Sequence, residues 1–289
     1  MLFSVQLGLL LALATAFTSV VGFLYTHRGA VESPAVEWRR PVRTSLALFR
    51  SRWYVLGIVI AMGSWTLHVG ALSLAPISLV QSVIAGGLVL LTVTADRIFA
   101  HEVTRREWTG VALAALGLAF LALTIEGAGR SAHSDYEVAR LAAWVAGTGA
   151  LAFLVAGMAG EGERAGVMLG ASAGLFWAAS DTSIKALSGD LGDGAAAVLL
   201  HPLAVVIALA SFAGLVVSAR SLQIGKAVPV IAVTTVAANL FTIAAGPIVF
   251  GDPMPDDSLG LVLRLSAFAL VVGAAALTPA PVRAVQAEA

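Results

Sequence analysis

The sequence predicts an all-α polytopic integral membrane protein, with nine transmembrane helices arranged as two inverted four-helix repeats joined by a connecting helix. Three observations predict it. Apolar residues make up 59% of the chain and charged residues 12%, and the mean hydropathy of +0.93 is far from soluble averages. Nine apolar segments reach the ~20 residues that a helix rising ~1.5 Å per residue needs to cross a bilayer. They run over about 4–25, 54–74, 77–99, 107–126, 138–158, 165–187, 195–219, 227–250 and 259–279. Finally, the stretch from Ala71 to Gly117 has a weaker echo late in the chain. Ala71, Ser73, Leu74 and Val80 recur as Ala219, Ser221, Leu222 and Val228, and Glu102, Gly110 and Leu113 meet Asp252, Gly260 and Leu263 after a two-residue slip.

Segment 1 has the apolar run and small residues (Ala14, Thr15, Ala16) of a signal peptide. No basic residue precedes it, however, and Arg28, Arg39, Arg40 and Arg43 follow it, the charge order of a spanning helix whose N-terminus lies outside. The long connection after it ends in VEWRRPVRTSLALFRSRW, where arginines alternate with Trp38, Leu46, Leu48, Phe49 and Trp53. Such a segment lies on the cytoplasmic leaflet, held by anionic lipid and aromatic anchoring, with partner binding or regulation as the alternative. Segments 2 and 3 lead into a cytoplasmic turn whose Glu102, Arg105 and Arg106 orient the hairpin. In segment 6, Gly166, Gly170 and Gly174 favour close helix crossing. His201-Pro202 marks a kink in segment 7, with proton relay a minor alternative.

All but four of the 17 Lys and Arg residues fall on one side of this arrangement; Arg130, Arg140, Lys185 and Arg264 are the four. The basic side is cytoplasmic. The predicted localisation is therefore a cell membrane, inner or plasma, crossed many times, with the N-terminus outside and the C-terminus in the cytoplasm. The repeats also acquire a direction, because Val5, Leu7 and Gly8 resemble Val167, Leu169 and Gly170. Segments 1–4 pair with 6–9, and a shift of five spans turns the second copy upside down. Residues 1–126 form the first repeat, 127–164 the connecting helix and its loops, and 165–289 the second repeat with a short tail. Convergent apolar composition is the competing source of so weak an echo. Inverted repeats are the architecture by which a carrier presents one midplane site to either side in turn.

The chain at this point resembles the drug/metabolite transporter superfamily with its EamA-type repeats. The resemblance covers most of the chain and is carried by a proline-started helix from Ala75-Pro76 to Glu102, followed by Arg106-Glu107-Trp108-Thr109-Gly110. The second half repeats it more faintly, with Asp252 for the glutamate and Ser258-Leu259-Gly260 for Trp-x-Gly. Typical members have ten spans. Nine spans, APISLVQ at Ala75–Gln81 and the polar end of segment 1 at Tyr25–Gly29 look more like the NIPA-type magnesium transporter branch. The resemblance implies a secondary, non-ATP permease moving a metabolite, drug or other small molecule, with a NIPA-like magnesium or divalent-cation transporter as the alternative.

Candidate path residues are the polar groups held within the membrane. A charge at a helix centre costs ~2.5–3.5 kcal/mol on insertion scales, so Asp181 in segment 6 needs a reason. Either it pairs with Lys185, four residues on and on the same face, while the lysine snorkels outward, or it is a protonatable or cation-binding carboxylate beside Trp177, Ser180 and Thr182. Asn239, the single asparagine, sits mid-segment near Thr234 and Thr235 as interhelical glue or as a substrate contact. His68 and Gln81 lie near the outer ends of segments 2 and 3, as packing residues or path residues. Arg264 snorkels from segment 9 or attracts an anionic group. If Lys185 and Arg264 both face the cavity, an amino-acid or organic-anion cargo is favoured, and two cations near the outer mouth oppose magnesium entry.

Zero net charge gives no field to recruit nucleic acid, and the lack of cysteine excludes disulfides, thiolate metal sites and cysteine nucleophiles. No resident cofactor is expected. Gly170-Ala171-Ser172-Ala173-Gly174 matches the hydrolase nucleophile pattern without its strand-turn-helix setting. Gly225-Lys226 lacks the rest of a phosphate loop. A membrane-embedded enzyme would need clustered acid, base or metal groups, whereas His68, His201 and Asp181 lie on three segments, and a sensor or assembly subunit would need a soluble output region. The expected partners are the bilayer and a small-molecule or ion substrate, with a homodimer left open.

Overall fold

The computed structural model describes residues 2–34, 46–86, 135–225, 227–252 and 254–277, together with 105, 109, 110, 112, 113, 115–117 and 120. These residues form helices and no strands. In chain order the helices are α1 (Leu2–Val31), α2 (Arg52–Leu74), α3 (Ile77–Gly86), α4 (helical residues between 105 and 120), α5 (Val138–Met158), α6 (Glu163–Leu187), α7 (Pro202–Ile224), α8 (Ala227–Ala245) and α9 (Ser258–Leu277). Among the described residues, four helical stretches are long and apolar enough to cross a membrane: Arg52–Leu74, Val138–Met158, Pro202–Ile224 and Val233–Phe250. Large side chains point outward from them, including Val59 and Met62 of α2, Phe153 and Leu154 of α5, and Val205 and Leu209 of α7. Water would penalise those faces, whereas hydrocarbon does not. Of the charged turn and the arginine-rich connection, Glu102, Arg106, Trp108, Trp38, Arg39, Arg40 and Arg43 lie outside the described residues.

One expected helix is divided, and another changes its helical geometry. Segment 7 divides into a short helix, Ala195–Leu200, and α7, because His201 is extended (φ −67°, ψ 138°). Proline biases the residue before it away from helix and tolerates the first helical position, where its missing N–H is no loss. The His201 ring then caps α7, its Nδ1 accepting from the Leu203 amide at 3.2 Å. Segment 8 ends α-helical geometry at Ala245 and continues as a π turn, Gly246–Phe250, closed by left-handed Gly251 (φ 61°). Pro247 removes one donor of that ladder. At the other extreme α1 runs on through the polar residues Tyr25–Gly29, where Thr26 Oγ1 donates to the Gly22 carbonyl at 2.5 Å and Ser33 Oγ to that of Gly29 at 2.6 Å.

The helices meet along small residues. A methyl group on Gly57 of α2 would strike the backbone of Thr26 and Gly22 in α1, and one on Gly29 would strike Tyr54. Toward the other end, Gly8 faces Ala71, Leu74 and Ala75, so α1 and α2 run antiparallel in close contact. In the second half, Gly166 of α6 faces Ser221 and Gly225 at the end of α7, while Gly170 and Gly174 face Val230, Thr234 and Ala237 of α8. Close backbone approach supplies dispersion contacts where lipid offers no hydrophobic drive between helices. Serine pairs add hydrogen bonds: Ser19–Ser64 at 2.7 Å joins α1 to α2, and Ser180–Ser211 at 2.8 Å joins α6 to α7.

Gly57→Ala should therefore destabilise the protein by ~1–3 kcal/mol through overpacking, whereas Gly63→Ala, whose added methyl meets nothing within 4 Å, should leave stability unchanged or raise it. Thermal melting of the two variants in detergent decides the point, and equal melting temperatures would contradict this α1–α2 packing.

Candidate functional site

Where α2 gives way to α3, Ala75-Pro76 breaks the backbone inside the bundle. Ala75 is extended (φ −143°, ψ 158°), so the last carbonyls of α2 and the first amides of α3 need partners from elsewhere. Two charges from the second half supply them. Lys185, in the last turn of α6 and fully buried, donates through Nζ to the carbonyls of Leu72 at 2.5 Å and Ala75 at 2.9 Å. A cation at a helix C-terminus is also favoured by the helix dipole. Asp252, just beyond the π turn of α8, accepts from the Ser78 amide at 2.9 Å and so caps α3. Gly246 makes room for it, since a methyl there would meet Asp252 Oδ2 and Ser78 Cβ. Asp252 also acts electrostatically on both Lys185 and Arg264, and Arg264 is only 2% exposed.

One turn before Lys185, Asp181 reaches across to the first half. Its Oδ2 accepts from Gln81 Nε2 at 3.2 Å, and its Oδ1 lies 3.3 Å from His68 Nε2. The histidine contact has ion-pair distance without hydrogen-bond alignment, and among the described residues neither ring nitrogen has a hydrogen-bond partner. His68 and Gln81 are buried, while the Asp181 side chain keeps 22% of its surface open. The site is thus a carboxylate with partial access, facing a buried imidazole and amide from two other helices.

The pair with Lys185, the first of the two readings of Asp181, does not form. Their shared helix face brings them near, but the unsatisfied carbonyls at the end of α2 hold the ammonium and leave Asp181 to His68 and Gln81. Lys185 does not snorkel outward, and neither does Arg264; both are buried. Ser180 is taken up by Ser211, and Thr234 Oγ1 donates to the Gly170 carbonyl at 3.0 Å and that of Val230 at 2.8 Å. Trp177 lies against Gly214 of α7. Asn239 is buried in α8, and no hydrogen bond among the described residues joins it to Asp181. Ser172 of the hydrolase-like pattern donates to the Ala152 carbonyl at 2.8 Å, buried between α6 and α5. Asp252 was legible only as part of an acidic turn; its alignment with Glu102 in the sequence echo was the available signal.

Outside the spans, His201 Nε2 lies 3.9 Å from Asp190, and partial burial with the nearby Asp190 charge raises the Tyr136 phenol above its usual pKa. Among the described residues no group of three His, Asp or Glu side chains is placed to hold a metal ion. The chain matches no protein-family model, no curated protein and no solved structure.

Replacing Lys185 with methionine keeps much of the volume but strands two buried carbonyls and removes a counter-charge from Asp252. Breaking such a buried charged contact costs ~3–5 kcal/mol, so Lys185→Met should melt far below the parent protein, and Ser180→Ala, losing one neutral contact, by much less. Comparable melting of both variants would refute the anchoring role of Lys185.

Proposed function

We propose that this protein is a secondary carrier of a small polar or charged molecule, working by alternating access without ATP. The observation that carries the proposal is the convergence of Asp181 from the second half with His68 and Gln81 from the first, in an apolar helical bundle. A carboxylate set across two halves can bind a proton or cation in one arrangement and release it in another, and buried ionisable groups in spans are functional by default. The architecture proposed is nine spans in two inverted four-helix repeats. In its support, Gly8 packs on Ala71 and Ala75 of α2 much as Gly166 packs on Ser221 and Gly225 of α7. The serine pairs joining α1 to α2 and α6 to α7 repeat the same relation.

The EamA-type resemblance supports the same class of carrier. Burial of both Lys185 and Arg264 beside Asp252 weighs against a divalent cation there, because the two cations oppose it. A metabolite or organic ion is the favoured cargo. The proposed orientation places the N-terminus outside and the C-terminus in the cytoplasm, so His68, Gln81, Asp181 and Asp252 lie toward the outer mouth.

Solute counterflow in liposomes, screened over amino acids, organic cations, organic anions and magnesium, tests the proposal. With the transported solute identified, Asp181→Asn should slow uptake at least ~tenfold, the scale of one lost charge-assisted contact, while the protein stays folded. Unchanged uptake would remove Asp181 from the path, and absence of counterflow across the panel would remove the carrier reading. Single cysteines introduced near each end of this cysteine-free chain should label from opposite sides of a sealed membrane; labelling from one side overturns the odd number of spans.

A further inference from the structure

At the end of the bundle away from Asp181, the last turns of α1 and the start of α2 enclose a cleft of about 460 Å³. Its walls carry Arg28, Arg50 and Arg52, the hydroxyls of Ser33 and Ser51, and the indole of Trp53. Glu32 also lines it and lies 3.3 Å from Arg28 Nε, which leaves the described charges at the cleft positive. Among the described residues Arg50 and Arg52 have no carboxylate partner. The Arg28 guanidinium stands 4.3 Å and that of Arg52 5.0 Å from the Trp53 ring centroid, and Tyr25 stacks on the same indole at 5.7 Å, nearly parallel. These contacts hold two guanidinium groups at the wall; Arg28 gives its Nε–H to Glu32, so Arg50 and Arg52 are the guanidinium groups without a carboxylate partner among the described residues. The 23-residue helix α2 begins in this wall, adding its positive dipole end.

We infer that this cleft binds a phosphate group, and that the group belongs to an anionic phospholipid. Guanidinium pairs match phosphate oxygens with forked donors, and the Ser51 hydroxyl, which accepts from the Tyr54 amide, keeps its own proton for such a shell, whereas Ser33 spends its proton on the Gly29 carbonyl. The surroundings favour a lipid over a free ion, because exposed Leu46 and Phe49 precede the Arg50–Trp53 stretch of the cleft and exposed Val55 and Leu56 follow it in the first turns of α2. An acyl chain has an apolar surface beside the headgroup there, and Trp53 and Tyr25 are the aromatic residues that mark a membrane–water boundary. The inference is independent of the carrier reading, since it uses none of the residues around Asp181.

Binding of phosphatidylglycerol to the full-length protein in detergent, followed by native mass spectrometry and by melting temperature, tests it. Phosphatidylglycerol should form a retained adduct and raise the melting temperature, and phosphatidylcholine should do so weakly. The exposed pair Arg50→Gln and Arg52→Gln should together weaken phosphatidylglycerol binding about 30-fold, from ~1 kcal/mol for each basic residue near an anionic surface. Arg140→Gln, an exposed charge on α5, should leave binding unchanged. Arg50→Lys with Arg52→Lys keeps the charge but not the fork, so partial retention supports phosphate recognition. Competition by millimolar inorganic phosphate, with no lipid adduct, would keep the phosphate site and overturn its assignment to lipid. Equal phosphatidylglycerol binding by the parent, the double glutamine variant and Arg140→Gln overturns the site altogether.

Discussion

A helix that stops inside an apolar bundle exposes carbonyls and amides that neither lipid nor neighbouring aliphatic side chains can satisfy. Buried Lys185 and Asp252 answer that constraint. The break at Ala75-Pro76 leaves α2 with free carbonyls and α3 with free amides; Lys185 serves the first set and Asp252 the second. Both come from the opposite half of the chain, so the same hydrogen bonds that complete two helix ends also clamp the halves together. The π turn and left-handed Gly251 at the end of α8 set Asp252 in place, and Gly246 keeps the path to α3 clear. The ammonium and the carboxylate in turn moderate each other's burial, with Arg264 as a second cation on Asp252.

The long apolar helices were legible in the sequence because lipid enforces them. A backbone that must satisfy itself leaves little freedom in where a helix runs, and α5 occupies 138–158 as the apolar run alone indicates. Helix ends were less legible where polar residues intervene: local hydroxyl-to-carbonyl bonds carry α1 on to Val31. Proline was read correctly as a disturbance at His201-Pro202, but a kink and a break differ only in whether the preceding residue becomes extended. At His201 the ring caps the next helix and makes the break tolerable.

The site was legible residue by residue and not as a constellation. Helical spacing places Asp181 and Lys185 on one face, which argues for a pair between them, yet that reasoning sees one helix at a time. In the structure the ammonium goes to two fixed carbonyls at the end of α2 and not to the carboxylate on its own helix. Ala75-Pro76 was the missing clue, because a helix end implies orphan carbonyls and orphan carbonyls imply a donor. His68 and Gln81 looked like packing residues for the same reason: their convergence on Asp181 is a property of three helices, and no spacing within one of them records it.

This division of labour isolates Asp181. Lys185 and Asp252 are committed to backbone groups whose abandonment would cost several kcal/mol, and the hydroxyls of Ser180, Thr234 and Ser172 are committed to serine or carbonyl partners. Asp181 contacts side chains alone in its cross-helix partnership, and side chains can change rotamer without unravelling a helix. It also keeps an open face, whereas the imidazole beside it keeps nitrogen atoms without hydrogen bonds. A group held by the fold's own backbone cannot exchange partners without breaking a helix end, but a carboxylate held by one amide and an off-line imidazole can. The structural charges hold the two halves together, and Asp181 is the charge left available to act between them.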